Sequence, residues 1–450
     1  MTENREEQTL DQTRRNFLRN SLMTVGGLAA LALTRDGIAA ASETPGLPDR
    51  KLEGPDDEAY WRQARAAFQF EPGVTYMNNA GLGLPLPFAI EAVRKGYATY
   101  YGRGIYAEEA LEEIIRNEAH PAVGRLIGAA THEFALTRNA TEGLTACASG
   151  IDLAPGDEVL MTTNEYPAGS DVWLLKSQRF GIKVRKIRIP NPPSSKAEVV
   201  ELFRRGITPN TKVLTFCHIT RGAGLLFPAK ELCTLAKEYG LISIIDGAQT
   251  VAHIPVDVKD IGCDLYVSSL HKWALTPAGT GLLYVRPGFQ KQFWPLIPGA
   301  GPWNYPNAGG WRYEAIGTHE LPVRAAIAPT LEFLNTIGLD NIHARDRMLS
   351  DYLKAELGKI PEITLATSRS YDLSGPGITS FSVKDWNGYP VSKLLQEEYR
   401  ILVSSDGMDD NNLVRVSTHF YNTKEDVDLC VSALKTIIKF GHEKLGATGG

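Results

Sequence analysis

Between residues 134 and 285 the chain repeats one unit, a short apolar run followed by a helical pattern, and this rhythm constrains the fold more than any other feature. The apolar runs fall at 134–137, 159–163, 213–217, 241–245, 265–268 and 281–285, and a strand of mixed apolar and charged residues at 183–189 takes the same place in the rhythm. Helical patterns lie between them at 142–151, 171–180, 196–205 and 228–239, the last with Gly240 placed as its C′ residue. Strands this short and this apolar bury both faces, and helical connections between them predict a largely parallel sheet covered by helices. Such a sheet binds ligands at the C-terminal edges of its strands.

The flanking sequence differs in character. Residues 45–55 are rich in Pro, Gly and charge and read as a linker. A helix is expected at 59–70, a strand at 74–77, and helical structure at 88–127 with a break near Gly102-Arg103-Gly104. Residues 298–310 are dense in Gly, Pro, Trp and Asn and read as an ordered loop. Helices follow at 322–338 and 342–357, then strands at 377–383 and 413–417 alternating with helices at 391–398 and 424–439. A chain of 450 residues is long enough for two domains. The expected division is 1–41, a cleaved leader; 42–70, an N-terminal segment; 71–330, a large domain; and 331–450, a smaller α+β domain.

The leader carries its own signal. Thr13-Arg14-Arg15-Asn16-Phe17-Leu18-Arg19 resembles the twin-arginine (Tat) export motif, and a mildly apolar stretch at 22–33 follows it. That stretch is shorter than the ~20 residues needed to span a bilayer, so no stable membrane insertion is expected. Ala39-Ala40-Ala41 offers a small-residue cleavage site. The order of motif, apolar run and cleavage site predicts passage through the Tat translocon to the periplasm. A net charge of −5 without a long basic run gives no basis for nucleic-acid binding. The five cysteines, Cys147, Cys217, Cys233, Cys263 and Cys430, have spacings that fit neither a zinc site nor a disulfide framework, and read as buried free thiols. No metal is expected.

Polar residues with chemical potential collect at the predicted strand ends. Ser268-Ser269-Leu270-His271-Lys272 follows the strand at 265–268, and Asp246-Gly247-Ala248-Gln249 follows the one at 241–245. A lysine and an aspartate so placed suggest the two anchors of pyridoxal 5′-phosphate (PLP). Lys272 would condense with its aldehyde, and Asp246 would pair with its protonated ring nitrogen. Gln249 is placed to bond its phenolic oxygen. Thr137-Arg138-Asn139-Ala140-Thr141-Glu142-Gly143 joins a strand to a helix, where Ala140 and Thr141 either hold a phosphate or, in the case of Thr141, merely cap the helix. Tyr166 in Asn164-Glu165-Tyr166-Pro167-Ala168 is either a stacking platform for a pyridine ring or a core aromatic. Asn78-Asn79-Ala80-Gly81-Leu82-Gly83 is small and polar enough for close backbone approach to a ligand, or is a plain turn.

Together these stretches resemble the class V aminotransferase family of PLP enzymes. The resemblance rests on Tyr76-Met77-Asn78-Asn79-Ala80, Asn139-Ala140-Thr141-Glu142, Glu165-Tyr166, Asp246-Gly247-Ala248-Gln249, Ser269-Leu270-His271-Lys272, Gly317-Thr318 and Val414-Arg415-Val416-Ser417. It spans about residues 70 to 440, and its isopenicillin N epimerase-like branch is the best match. The resemblance implies an α/β protein of PLP fold type I, with a mostly parallel seven-stranded sheet in the large domain and a smaller α+β C-terminal domain. It also implies roles. Lys272 holds the cofactor and shuttles protons, and Asp246 and Gln249 hold its ring. Ala140, Thr141, Thr220, Ser269 and His271 surround it, and Thr318 reaches the phosphate of a partner subunit in a homodimer with shared sites. Arg415, with Asn79, receives a small-molecule amino substrate, Arg415 taking the α-carboxylate; Arg221, which the resemblance does not supply, either pairs with a local carboxylate or solvent or meets an acidic group of the substrate or the cofactor oxygen. Two departures matter. Arg221 stands where the family often has a small polar residue, and no cysteine lies in 403–410, where a desulfurase of the family carries its nucleophile. The implied activity is epimerisation, transamination or oxidative decarboxylation, which share removal of the Cα proton. Export adds the tailoring of a secreted product, by analogy with periplasmic PLP enzymes that modify siderophores. The rival reading is a PLP- or substrate-binding protein without turnover.

Overall fold

The computed structural model describes residue 47 and residues 51–447, apart from 300, 306 and 407–411; the expected export leader lies outside the described residues. The first helix, Glu58–Arg65, is capped by Asp57, whose carboxylate accepts the Tyr60 N–H at 3.2 Å. Strand β1 (Thr75–Tyr76) follows, and then the long helix Pro87–Arg103, which stops at Gly104 as its Gly-Arg-Gly sequence predicts.

The rhythm of apolar runs becomes seven strands: β2 (Phe134–Thr137), β3 (Glu158–Thr162), β4 (Lys183–Ile187), β5 (Thr211–Cys217), β6 (Ile242–Asp246), β7 (Leu265–Ser269) and β8 (Gly281–Val285). They form one sheet in the order β2-β8-β7-β6-β5-β3-β4. Strands β7, β6, β5, β3 and β4 run parallel, and β8 runs antiparallel to both of its neighbours. The sheet is therefore mostly parallel, as expected, with one reversed strand. Its cause is the connection between β7 and β8, too short for a crossover helix, which forces an antiparallel pair.

Side-chain alternation along each strand feeds two cores, one on each face of the sheet. On one side Val159, Met161, Ile244, Leu265 and Val267 pack with Leu144, Cys147 and Trp173. On the other, Leu160, Ile245 and Tyr266 pack with Phe203, Phe216 and Leu232. The exposed edge strand β4 carries Lys183, Arg185 and Lys186, charges that oppose pairing with another chain. All five cysteines are buried and free.

The C-terminal region builds a second sheet from β9 (Ile363–Leu365), β10 (Ile378–Val383), β12 (Ser404–Asp406) and β13 (Leu413–Ser417), in the antiparallel order β12-β13-β10-β9. A short strand, β11 (Ile401–Leu402), pairs in parallel with β1, so the strand expected at 74–77 belongs with the C-terminal region rather than with the large sheet. The helix Leu339–Leu357 joins the two regions: Ile342 enters the large core, and Leu353 and Leu357 enter the smaller one. The N-terminal helix is fastened across this junction. Glu58 holds the fully buried guanidinium of Arg345 at 2.6 and 3.0 Å, and Arg65 pairs with Asp426 at 2.7 Å. The result faces the C-terminal ends of β5, β6 and β7 towards Arg415 on β13.

Candidate active site

The strand ends and β13 enclose a cleft of about 380 Å³. Asp246, the last residue of β6, forms part of its floor. One carboxylate oxygen accepts the Ala248 N–H at 2.9 Å, and the other faces the Cys217 thiol at 3.9 Å. Burial raises the Asp246 pKa, opposed by the Ala248 N–H and then by the charge of Lys272. The next residue must be glycine for steric reasons, because a Cβ at Gly247 would strike the Tyr266 ring.

Lys272 enters the same cleft three residues beyond the end of β7. Its Nζ stands 5.8 Å from the centre of the Tyr166 ring. Burial brings its pKa down from 10.5 to about 8; Asp246 opposes the shift, and Arg415 and Arg221 add to it. A lysine held this way presents a neutral, nucleophilic amine from about pH 8, well below the range of an ordinary lysine. Backbone packing fixes its position. The Gly83 N–H donates to the His271 carbonyl at 2.9 Å, and a Cβ at Gly83 would collide with the Lys272 carbonyl.

The helix-start end of the cleft differs from expectation in one detail. The helix Ala140–Gly150 is capped by Asn139, whose side chain accepts the Glu142 N–H at 2.9 Å, and not by Thr141. Thr141 sits in the first turn and lines the cleft. Ser269 Oγ accepts the Ala140 N–H at 2.9 Å, which leaves its hydroxyl proton to donate to an anion. Ala140 lines the cleft with its N–H committed to that serine. The carbonyl of Thr280 accepts from His271 Nδ1 at 3.0 Å, so the neutral ring has no proton on Nε2 and His271 donates to an anion from Nε2 only when protonated. Burial, then the nearby Lys272, holds the His271 pKa down against the pull of that carbonyl.

Arg415 lies on β13, almost fully buried, and lines the cleft. Its guanidinium donates to Asn78 Oδ1 at 2.9 Å and to the Arg221 carbonyl at 3.3 Å. Arg221 also lines the cleft, with its guanidinium carbon 5.6 Å from the Tyr166 ring centre. Tyr166 is 40% exposed, which resolves it as a cleft wall and not a core aromatic. Gln249 lines the cleft and has a fixed orientation. Its Oε1 accepts the Trp273 indole N–H at 2.7 Å, and its NH₂ donates to the Ala80 carbonyl at 2.9 Å, leaving the second NH₂ proton for a ligand oxygen.

Three expected residues are not brought to the cleft lining. Asn79 is buried between the Tyr421 hydroxyl and the Lys272 carbonyl, and its neighbour Asn78 takes the cleft position. Thr220 is buried outside the cleft lining, and its hydroxyl accepts the Leu225 N–H at 3.0 Å in the turn that follows β5. Thr318 is exposed and outside the cleft of its own chain. Sequence reasoning missed Asn78, Cys217 and Ser404, all of which line the cleft, and gave no role to Glu165. Glu165 is a buried carboxyl following an apolar strand, a signal present in the sequence.

The residues present fit PLP. A buried amine, a buried carboxylate, an aromatic wall and a hydroxyl-lined helix start meet in one cleft, the set needed for an aldehyde, a ring nitrogen, a pyridine face and a phosphate. Residues 75–430 match the family described as aminotransferase class-V. The chain is 30% identical over 402 residues to the isopenicillin N epimerase of Streptomyces clavuligerus, covering 84% of this chain and 98% of that protein. It is 28% identical over 388 residues to a cysteine desulfurase of Haloferax volcanii, covering 80% of this chain and 88% of that one. Among solved structures, a variant of C-DES with glycine covalently linked to its PLP cofactor aligns with a TM-score of 0.75 at 22% identity, covering 82% of this chain and 98% of that one. The cysteine desulfurase CsdA of Escherichia coli aligns with a TM-score of 0.74 at 24% identity, covering 87% and 100%.

Proposed function

We propose that this chain, which belongs to the class V aminotransferase family of PLP-dependent enzymes, moves a proton at the Cα of an amino acid or of the amino-bearing end of a peptide or secondary metabolite. The observation that carries this reading is the buried Lys272 amine, set against Tyr166 and sharing its cleft with Asp246 and Arg415. PLP, when bound, supplies an electron sink for charge developing at Cα. Lys272 holds the cofactor and acts as the base at Cα; its amine titrates at about pH 8, close to the optimum for general base work. Asp246 holds the ring nitrogen, and Gln249 turns an N–H towards the phenolic oxygen. Ser269, His271 and Thr141 hold the phosphate. Arg415, oriented by Asn78 and the Arg221 carbonyl, takes the α-carboxylate.

The outcome at Cα is epimerisation or transamination, the first supported by the 30% identity to isopenicillin N epimerase. Sulfur transfer is not proposed, since 403–410 contains no cysteine. Arg221, beside Tyr166 in the cleft, favours substrates with a second acidic group. A panel of acidic and neutral amino acids, L and D, tests this by product formation and cycling of the cofactor absorbance. Arg415→Ala should reduce kcat/KM for every substrate by about 2–4 kcal/mol, and Arg221→Ala should do so for acidic substrates alone. Equal loss on acidic and neutral substrates would leave Arg221 no part in selectivity. A static absorbance change with no product for any substrate would make the protein a binder.

The Arg14-Arg15 motif and the small-residue run at 39–41 support export by the Tat route to the periplasm, where tailoring of a secreted amino-bearing product is the fitting task. The double variant Arg14→Lys, Arg15→Lys should remain in the cytoplasm. Its unchanged appearance in the periplasm removes that assignment. Exposed Thr318 and the exposed aromatics Tyr101 and Tyr106 support assembly as a homodimer, in which Thr318 completes the partner's phosphate site.

A further inference from the structure

What Gln249 can offer a ligand depends on which end of its amide faces the cleft, and two partners behind it decide that. The Trp273 indole N–H, which can only donate, meets Oε1 at 2.7 Å. The Ala80 carbonyl, which can only accept, takes one NH₂ proton at 2.9 Å. Turning the amide over would set donor against donor and acceptor against acceptor. Without the indole, Oε1 would be left as a buried acceptor, and the amide could rotate its oxygen towards the cleft.

Trp273 is fully buried and does not line the cleft, so it meets no ligand itself. It is held on three sides. Its ring lies flat on His253, with centroids 3.4 Å apart and planes 4° from parallel. His419 Nε2 lies 3.2 Å from its carbonyl oxygen, and Asp346 holds His419 Nδ1 at 2.9 Å. A Cβ at Gly377 would strike the indole ring, so that glycine makes room for it. His253 ties Trp273 and Gln249 together. Its Nδ1 donates to the Gln249 carbonyl at 2.7 Å, and its Nε2 accepts the Gly377 N–H at 2.7 Å. An Nε2 that accepts belongs to a neutral ring, and burial accordingly holds the His253 pKa well below the ordinary histidine value.

We propose that Trp273 is a positioning residue which, acting through Gln249, turns that amide's N–H and not its oxygen towards the phenolic oxygen of the cofactor. This rests on the reading that Gln249 faces that oxygen. An N–H donated there stabilises the phenolate charge and so lowers the proton affinity of the bound cofactor's visible chromophore.

The test uses the full-length protein loaded with PLP and follows its visible absorbance as a function of pH. Gln249→Leu removes the donor and should raise the titration midpoint by about one unit, a tenfold change in proton affinity. Trp273→Phe keeps a ring on His253 but loses the N–H, and should produce a substantial part of that shift. The double variant should titrate like Gln249→Leu, because the indole then has no amide to orient. A merely structural role for Trp273 does not give that pattern. Two results overturn the proposal: Trp273→Phe titrating like wild type, or the two shifts adding in the double variant, which would mean that Trp273 acts by another route. Where Trp273→Phe fails to fold, an isosteric tryptophan analogue with sulfur in place of the indole N–H, placed at 273 alone, decides in its stead. Gln249→Leu titrating like wild type sets the amide away from the phenolic oxygen and overturns this proposal, leaving the chemistry at Lys272 intact. A protein that takes up no PLP, with no borohydride-reducible visible absorbance, overturns this proposal and the functional reading together.

Discussion

Lys272 shows how neighbours set the chemistry of one side chain. Burial stabilises the neutral amine, Asp246 pulls towards the ammonium, and Arg415 and Arg221 push away from it, leaving a pKa of about 8 instead of 10.5. The sign of the consequence follows. Because the folded pKa lies below the unfolded one, the amine is available in the folded protein once the pH passes about 8, long before an ordinary lysine would release its proton. The rate of PLP capture by the apoprotein should rise through about pH 8 and then level off. In Arg415→Ala, which removes a cation, the midpoint should move upward. A capture rate in the wild type that keeps climbing past pH 10 would contradict the account of burial. The partners of Lys272 were legible as residue types at strand ends. The choice between adjacent residues was not. Asn78 and Asn79 are the same amide, and only the pairing of this segment with Ser417 and the packing of Tyr421 decide which one meets Arg415. The helix cap fell to Asn139 and not Thr141 because only the former sits with extended backbone one residue before the first helical turn.

At the scale of elements, the sequence exposed what local patterning controls. Every strand of the large sheet except the charged edge strand β4 lies within a few residues of an apolar run, since it must bury both faces and the helices between the strands carry stripes that cover the sheet. Pairings made across long stretches of chain left no such mark. The union of β1 with β11 joins Thr75 to Ile401, and nothing in a two-residue strand advertises that partner. Helices are expected at 322–338 and 342–357, and the structure has three, Leu321–Ala325, Ile327–Ile337 and Leu339–Leu357; Gly338, with φ of 91°, marks the expected boundary in a conformation that glycine adopts without strain, and the additional break falls at Ala326. Thr220 had the look of a ligand contact because its loop follows a strand end. In the structure its hydroxyl accepts the Leu225 N–H in a turn outside the cleft lining.

At the scale of the whole molecule, the cleft is assembled from both regions of the chain. Lys272 and Asp246 come from the large sheet, and Arg415 comes from the small one, so the helix Leu339–Leu357 and the N-terminal clamp of Glu58 on Arg345 help hold the substrate end in register with the cofactor end. Thr318 lies outside this enclosure. If it serves a partner, two defective chains repair each other. Lys272→Ala and Thr318→Asp variants, each impaired alone, should regain activity when co-expressed, because one site of each mixed dimer holds Lys272 from one chain and Thr318 from the other. Random pairing predicts roughly a quarter of the wild-type sites, read as turnover by the mixed preparation. No recovery, together with a monomeric mass by sedimentation, would return Thr318 to an ordinary surface turn.

The central claim is that Lys272 is the residue to which PLP is joined. Borohydride reduction of the loaded protein, followed by proteolysis and mass spectrometry, measures this directly. The account predicts a phosphopyridoxyl group on the peptide containing Lys272 and no reducible visible absorbance in Lys272→Ala. A yellow Lys272→Ala protein that borohydride bleaches, or a modified peptide from elsewhere in the chain, would contradict it.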